Sequence, residues 1–128
     1  MNDNRVKAIS EQTFSNNLNL EKLYLSNNQI SLVSNQLFCN NSNLQRVELH
    51  SNQIEEVPVK LFNNTVNLQS LYLNDNQSKN ISEQLFDNNP NLQELDLSDN
   101  QIEIISKNHF ANNANLRQLR LYRSEEQR

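Results

Sequence analysis

The chain has 128 residues, a mass of 15.0 kDa and a formal charge of −4, a length suited to one ordinary domain. It contains no Gly, no Trp, two Pro and one Cys, which excludes a Walker loop, a dinucleotide fingerprint, a nucleophile elbow, an intrachain disulfide and a Cys-rich zinc site. The acidic balance argues against a non-specific nucleic-acid-binding surface, which would be basic. Asn supplies 26 of the residues. Scattered, that much Asn would mark a disordered, prion-like tract; here it is periodic.

Taken from the N-terminus, Met1-Asn2-Asp3-Asn4 is in phase with Leu73-Asn74-Asp75-Asn76. The chain is therefore expected to begin in mid-coil, with a partial coil over 1–19. Leu20, Leu44, Leu68, Leu92 and Leu116 then recur every 24 residues. This spacing predicts coils over 20–43, 44–67, 68–91 and 92–115, a closing strand over 116–122 and a frayed polar tail. An unbroken period of this kind means a solenoid rather than a globule.

Within each coil the alternation Leu23-Tyr24-Leu25 has period two and predicts a short half-buried strand in Leu20–Leu25. Equivalent strands stack in parallel. Asn28 stands where the strand ends, and Asn4, Asn52, Asn76 and Asn100 share its phase. An amide offers two donors and an acceptor, so these residues are expected to form a buried ladder that satisfies turning backbone. Ile30, Val33 and Phe38 fill the coil, and all five Phe fall in phase at 14, 38, 62, 86 and 110. Leu37-Phe38, Leu61-Phe62 and Leu85-Phe86 predict a short helical or 3₁₀ turn. Asn tolerates left-handed φ, so Asn16-Asn17, Asn40-Asn41, Asn88-Asn89 and Asn112-Asn113 are expected to turn the chain where Gly is absent.

The repeated pattern, carried by Leu20, Leu23, Leu25, Asn28, Ile30, Val33 and Phe38 and their downstream equivalents, resembles the leucine-rich repeat in its typical 24-residue form. The likeness runs to about Tyr122. It implies an α/β solenoid: a right-handed coil with a parallel sheet on the concave face and short turns, 3₁₀ or helical segments on the convex face. It also implies Cys-containing caps in extracellular members. None is visible here, which predicts a fragment of a longer protein.

Function in such a solenoid is expected on the outward strand positions. The central row is Tyr24, Glu48, Tyr72, Asp96 and Arg120; it is preceded by Lys22, Arg46, Ser70, Glu94 and Gln118 and followed by Ser26, His50, Asn74, Ser98 and Tyr122. Inward rows hold constant because packing requires it, whereas these outward rows vary and are free to bind. Five strands span about 19 Å, the width of a protein or peptide epitope. The predicted contact residues are Lys22, Tyr24, Arg46, Glu48, His50, Tyr72, Asn74, Glu94, Asp96, Arg120 and Tyr122, with Tyr24, Tyr72, Arg120 and Tyr122 as anchors, since aromatics and Arg dominate interfaces. In the stacked register Asp96 falls beside Arg120 and Asp99 beside Arg123, pairs that contribute about 0–1 kcal/mol each. A calcium site at Asp75, Glu94, Asp96 and Asp99 is disfavoured by the spacing and by the neighbouring Arg residues.

No catalytic, cofactor or metal site is expected. Ser26, His50 and Asn74 would be lateral neighbours, yet an open sheet supplies neither an oxyanion hole nor a dry pocket. His109 replaces the Leu that precedes Phe in three coils and is expected to be a tolerated turn residue. Cys39 is expected to be partly buried as a small apolar residue. Ser78 replaces an inward Ile, costing about 2–4 kcal/mol if a cavity remains, and predicts loosening over Asp75–Ile81. Four glycosylation patterns occur, at Asn40, Asn63, Asn76 and Asn80. About three would arise from composition alone, and Asn40 and Asn63 are the plausible acceptors. The resemblance points to a non-catalytic module that binds a protein or peptide, in an extracellular receptor, adhesion or matrix protein. No nucleic acid and no membrane insertion of this segment are expected. An intracellular scaffold or regulatory subunit docking on an enzyme, hence cytoplasmic, is the alternative.

Overall fold

Three residues are enough to make each strand because each strand has a neighbour cut from the same pattern. A computed structural model describes residues 5–123. In it β1 (Lys22–Tyr24), β2 (Arg46–Glu48), β3 (Ser70–Tyr72), β4 (Glu94–Asp96) and β5 (Gln118–Arg120) form one parallel sheet in the order β1-β2-β3-β4-β5. The register is one coil per strand: Leu23 faces Val47, Val47 faces Leu71, Leu71 faces Leu95 and Leu95 faces Leu119. Sequential parallel strands separated by a full coil are what a solenoid produces. The strands occupy the middle of the segments proposed for them, Leu20–Leu25 and 116–122, and inter-coil backbone hydrogen bonds continue past them, as from Leu25 and Asn27 N–H to the Glu48 and His50 carbonyls.

The core is a set of columns. Leu25, Leu44, Leu49, Leu68, Leu71 and Leu92 are fully buried, as are Phe38 and Phe62. Phe14, Phe38, Phe62, Phe86 and Phe110 stack down the back of the coil with centroids 6.3, 6.1, 6.2 and 6.2 Å apart. Such aromatic pairs contribute about 0.5–1.5 kcal/mol beyond the area they bury. The only helical element among the described residues is a 3₁₀ turn at Lys107–Phe110; the corresponding Leu-Phe segments are hydrogen-bonded turns, with Leu37, Leu61 and Leu85 N–H donating to the carbonyls of Ser34, Pro58 and Ser82.

Asn closes the coil on itself and ties it to its neighbours. The Asn76 Nδ2 donates to the carbonyls of Leu73 in its own coil (3.1 Å) and Leu49 in the preceding one (3.0 Å), while its Oδ1 accepts from the Ile54 N–H at 3.0 Å. Asn52 and Asn100 repeat this pattern one coil away on either side. Asn4 lies outside the described residues, as do the Met1–Asn4 start and the tail.

The Asn pairs on the opposite side do something other than adopt left-handed φ. Positive φ in the described residues occurs at Asn27, Ser51, Asp75 and Asp99, immediately before each ladder Asn, with values of 55–58°. The convex-side Asn residues instead donate across coils. Asn41, Asn89 and Asn113, all buried, reach the carbonyls of Phe14, Phe62 and Phe86. Asn40, Asn64 and Asn88 reach Ser15, Cys39 and Asn63. Asn43, Asn67, Asn91 and Asn115 reach Leu18, Ser42, Val66 and Pro90. The physical reason is geometric: without a strand there, stacked coils have no ladder of their own, and a short amide spans the gap.

Two further expectations change. Cys39 is exposed, because Phe38 takes the inward direction and the next side chain points out. His109 is more than tolerated: it is buried, its Nε2 donates to the Ile81 carbonyl at 2.9 Å and its Nδ1 accepts from the Ser106 N–H at 3.1 Å. That pairing assigns the Nε2–H tautomer and links the last two coils. Ser78 is buried, with its hydroxyl donating to the Ile54 carbonyl at 3.1 Å and its N–H to Asn100 Oδ1.

The Ile54 carbonyl also accepts from the Gln77 N–H, so Ser78→Ile leaves no acceptor orphaned and restores the inward column. It is expected to stabilise the chain by about 1–2 kcal/mol in urea unfolding; a lower midpoint would contradict the packing described. Asn76→Ala strips a donor and an acceptor from buried backbone and is expected to cost about 3 kcal/mol or more. Asn80→Ala, at an exposed position, is expected to stay within about 0.5 kcal/mol.

Candidate functional site

Strand alternation places all of the predicted contact residues on the outward side of the sheet or on the segment that directly follows each strand. Lys22, Tyr24, Arg120 and Tyr122 are exposed; Arg46, Glu48, His50, Tyr72, Asn74 and Glu94 are half-buried; Asp96 is buried. They do not form a uniform surface.

Arg46, Glu48, Tyr72 and Glu94 are bound to one another. Arg46 Nε donates to Glu48 Oε2 at 2.8 Å, two residues along the same strand and so on the same face. The guanidinium lies over the Tyr72 ring, 4.8 Å from its centroid, a cation–π arrangement. The Tyr72 hydroxyl donates to Glu94 Oε2 at 2.8 Å, and His50 meets the Tyr72 ring edge-on at 6.3 Å. The Glu48 hydrogen bond holds the Arg46 guanidinium above its ordinary value against the opposing effect of burial. Burial, seconded by the bond to Glu94, raises the Tyr72 phenol above the usual 10.0 while the Arg46 charge pulls the other way. Tyr72 is therefore less available as an anchor than the sequence suggested, because its hydroxyl and one ring face are already engaged.

Exposure is highest on the outermost strands, where even the inward Leu119 and Leu121 are partly uncovered. Tyr24 is 40% and Tyr122 57% exposed. Arg120 Nη1 reaches Asp96 Oδ2 at 4.0 Å, a loose ion pair, and Asp96 Oδ1 also accepts from the Ser98 N–H at 3.0 Å. Among the described residues no group of three His, Cys, Asp or Glu side chains converges as a metal site. No helix there is long and apolar enough to cross a membrane.

Of the two favoured glycosylation positions, Asn40 is exposed but donates its Nδ2 to Ser15, and Asn63 is half-buried. Asn76 is buried in the ladder and Asn80 is exposed. Sequence reasoning missed an open groove of about 1020 Å³ beside the ladder turns, lined by Leu32, Val33, Glu55, Glu56, Val57 and Val59. Its signal was Leu32, 75% exposed, in a column occupied at 8, 56, 80 and 104 by Ala, Glu, Asn and Ile.

An in-register parallel sheet, a Phe column and a buried Asn ladder define a solenoid of leucine-rich repeats. The model of the BspA type leucine-rich repeat region matches residues 7–127 in six copies, and the chain belongs to this family. Among solved structures it is similar to the Drosophila protein in a Toll–Spatzle complex, with 26% identity and a TM-score of 0.89 over 95% of this chain and 18% of that one. It is similar to internalin C2 of Listeria monocytogenes, with 33% identity and a TM-score of 0.70 over 86% of this chain and 45% of that one. The leucine-rich repeat domain of APL1B shares the fold at 24% identity and a TM-score of 0.86, over 93% of this chain and 34% of that one. The chain thus spans less than half the length of each. No protein of curated function matches it.

The raised Tyr72 phenol gives a pH dependence of definite sign. Its contribution to stability is complete below the unfolded tyrosine value and is lost as pH rises through the higher folded one. Spectrophotometric titration is expected to show a tyrosine ionising above the ordinary range that Tyr72→Phe removes; an unchanged titration curve in that variant would refute the assignment.

Proposed function

We propose that the chain is a non-catalytic protein-binding module whose ligand, a protein or peptide, lies across the outward face of the sheet. The observation that carries this reading is the contrast between rows: inward positions repeat Leu, Val, Ile and Phe, while outward ones change residue type from coil to coil. Packing accounts for the first and leaves the second free for recognition. The anchors are Tyr24, Arg120 and Tyr122, outward residues of the types that dominate interfaces. The similarity to the protein in the Toll–Spatzle complex supports a protein ligand and an extracellular setting, as part of a receptor, adhesion or matrix protein. The exposed free Cys39 favours the second reading, an intracellular scaffold, because thiols persist in reducing compartments.

Capture experiments with the whole chain as bait test the face. Replacing Tyr24, Arg120 and Tyr122 together by Ala is expected to lower recovery of a captured protein by at least about tenfold, with Lys79→Ala as the control on another side of the coil. Recovery undiminished in the triple variant would reject the sheet face as the binding surface.

A further inference from the structure

The row that follows the central one holds an anomaly. His50 Nδ1, Asn74 Oδ1 and Ser98 Oγ, on three successive coils, are each buried without a hydrogen-bond partner. Ser98 is only 1% exposed. Buried polar atoms are nearly always paired; Asn41, Asn89 and Asn113 Oδ1 are also unpaired, but on the opposite side and on side chains whose Nδ2 is bound to the coil before, whereas these three follow one another along the outward face. Asn74 Oδ1 can only accept, and the Ser98 hydroxyl can do either.

Carboxylates flank the same seam. Asp75 follows Asn74 in the chain and accepts the Ser51 hydroxyl at 2.9 Å; Glu94 accepts the Tyr72 hydroxyl; Asp96 precedes Ser98 by two residues and meets a cation only at 4.0 Å, from Arg120. Most of this negative charge is thus held by neutral donors. A metal is not the natural occupant, since no three such ligands converge among the described residues. A guanidinium is. It carries five donors in one plane, enough to fork a carboxylate and still serve neighbouring acceptors, whereas an ammonium is a compact point charge. The adjoining part of the face already seats one in this manner: Arg46 lies on the Tyr72 ring and donates to Glu48.

We infer that the seam at Asn74 and Ser98, between Asp75 and Asp96, is the seat for an arginine side chain presented by an extended segment of the protein partner. The inference rests on the reading of the sheet face as protein-binding and narrows it to one position and one chemistry. Arg120 meets Asp96 only at 4.0 Å, which leaves that carboxylate available to the incoming guanidinium.

The test uses the whole chain, isotopically labelled, and three short Ser-rich peptides with Arg, Lys or Glu at the centre, followed by NMR titration. The Arg peptide is expected to shift the Asn74 side-chain amide and the backbone amides of Asp75, Asp96 and Ser98. The Lys peptide is expected to bind several-fold more weakly and the Glu peptide to leave these signals unmoved. Asp75→Asn and Asp96→Asn are each expected to weaken the Arg peptide about tenfold. Both variants suit the fold. Asn already holds the positive-φ site at Asn27 that is equivalent to Asp75, and the amide oxygen introduced by Asp96→Asn would still accept from the Ser98 N–H. Equal shifts from the Arg and Glu peptides, or an Arg-peptide affinity unchanged in both variants, would overturn the proposal. Shifts confined to Lys22 and Tyr24 would overturn this seat while leaving the sheet-face reading intact; shifts confined to the Asn rows opposite the sheet would overturn both.

Discussion

A solenoid with three-residue strands has to satisfy most of its backbone outside the sheet, and that requirement governs the rest of this structure. Between the first two strands, backbone hydrogen bonds join the coils from Glu21 to Ile30, yet the coil runs on for some fifteen residues before the next strand. Asn side chains carry the inter-coil hydrogen bonding over much of that distance. On the strand side each ladder amide holds two coils and accepts a backbone N–H; on the opposite side, rows at 40, 41 and 43 and their equivalents donate to the coil before. Where Thr65 interrupts the inner row, its hydroxyl turns back to the Phe62 carbonyl and the Asn89 amide reaches past to the same oxygen. The unusual Asn content is therefore structural, since each amide stands in for the strand pairing the coil lacks.

The same constraint frees the face. Because stacking is secured by the ladders and by the Leu and Phe columns, outward strand positions carry no obligation to the fold and can vary. Some of that freedom is taken up internally, in the Arg46–Glu48 and Tyr72–Glu94 pairs. The remainder carries the outward side chains of Lys22, Tyr24, Arg120 and Tyr122. The Arg120–Asp96 pair is loose at 4.0 Å, with its Arg120 end exposed and its Asp96 end buried.

The architecture was legible in the sequence because a period of 24 residues leaves one way to stack identical strands, and because Leu, Ile and Phe at fixed phases can only point inward together. The Asn28-type ladder was legible for the same reason: a polar residue in phase with a core must meet backbone there. The role of Asn40-Asn41 and its equivalents was not. An Asn pair in a turn is locally indistinguishable from one that adopts left-handed φ, and only the neighbouring coil, 24 residues away, supplies the carbonyl that decides. Individual face residues followed from alternation, but their coupling did not: the contact of Arg46 with Tyr72 depends on side-chain rotamers rather than on phase. His109 looked like a substitution of convenience because its partner, Ile81, lies 28 residues back.

Hydrogen exchange of side-chain amides tests the stitching most directly. If Asn ladders hold the coils together, the Nδ2 protons of Asn52, Asn76, Asn100, Asn41 and Asn89 exchange orders of magnitude more slowly than the Nε2 protons of the exposed Gln77 and Gln101. Exchange of all these amides at the rate of a free amide in water would contradict the account.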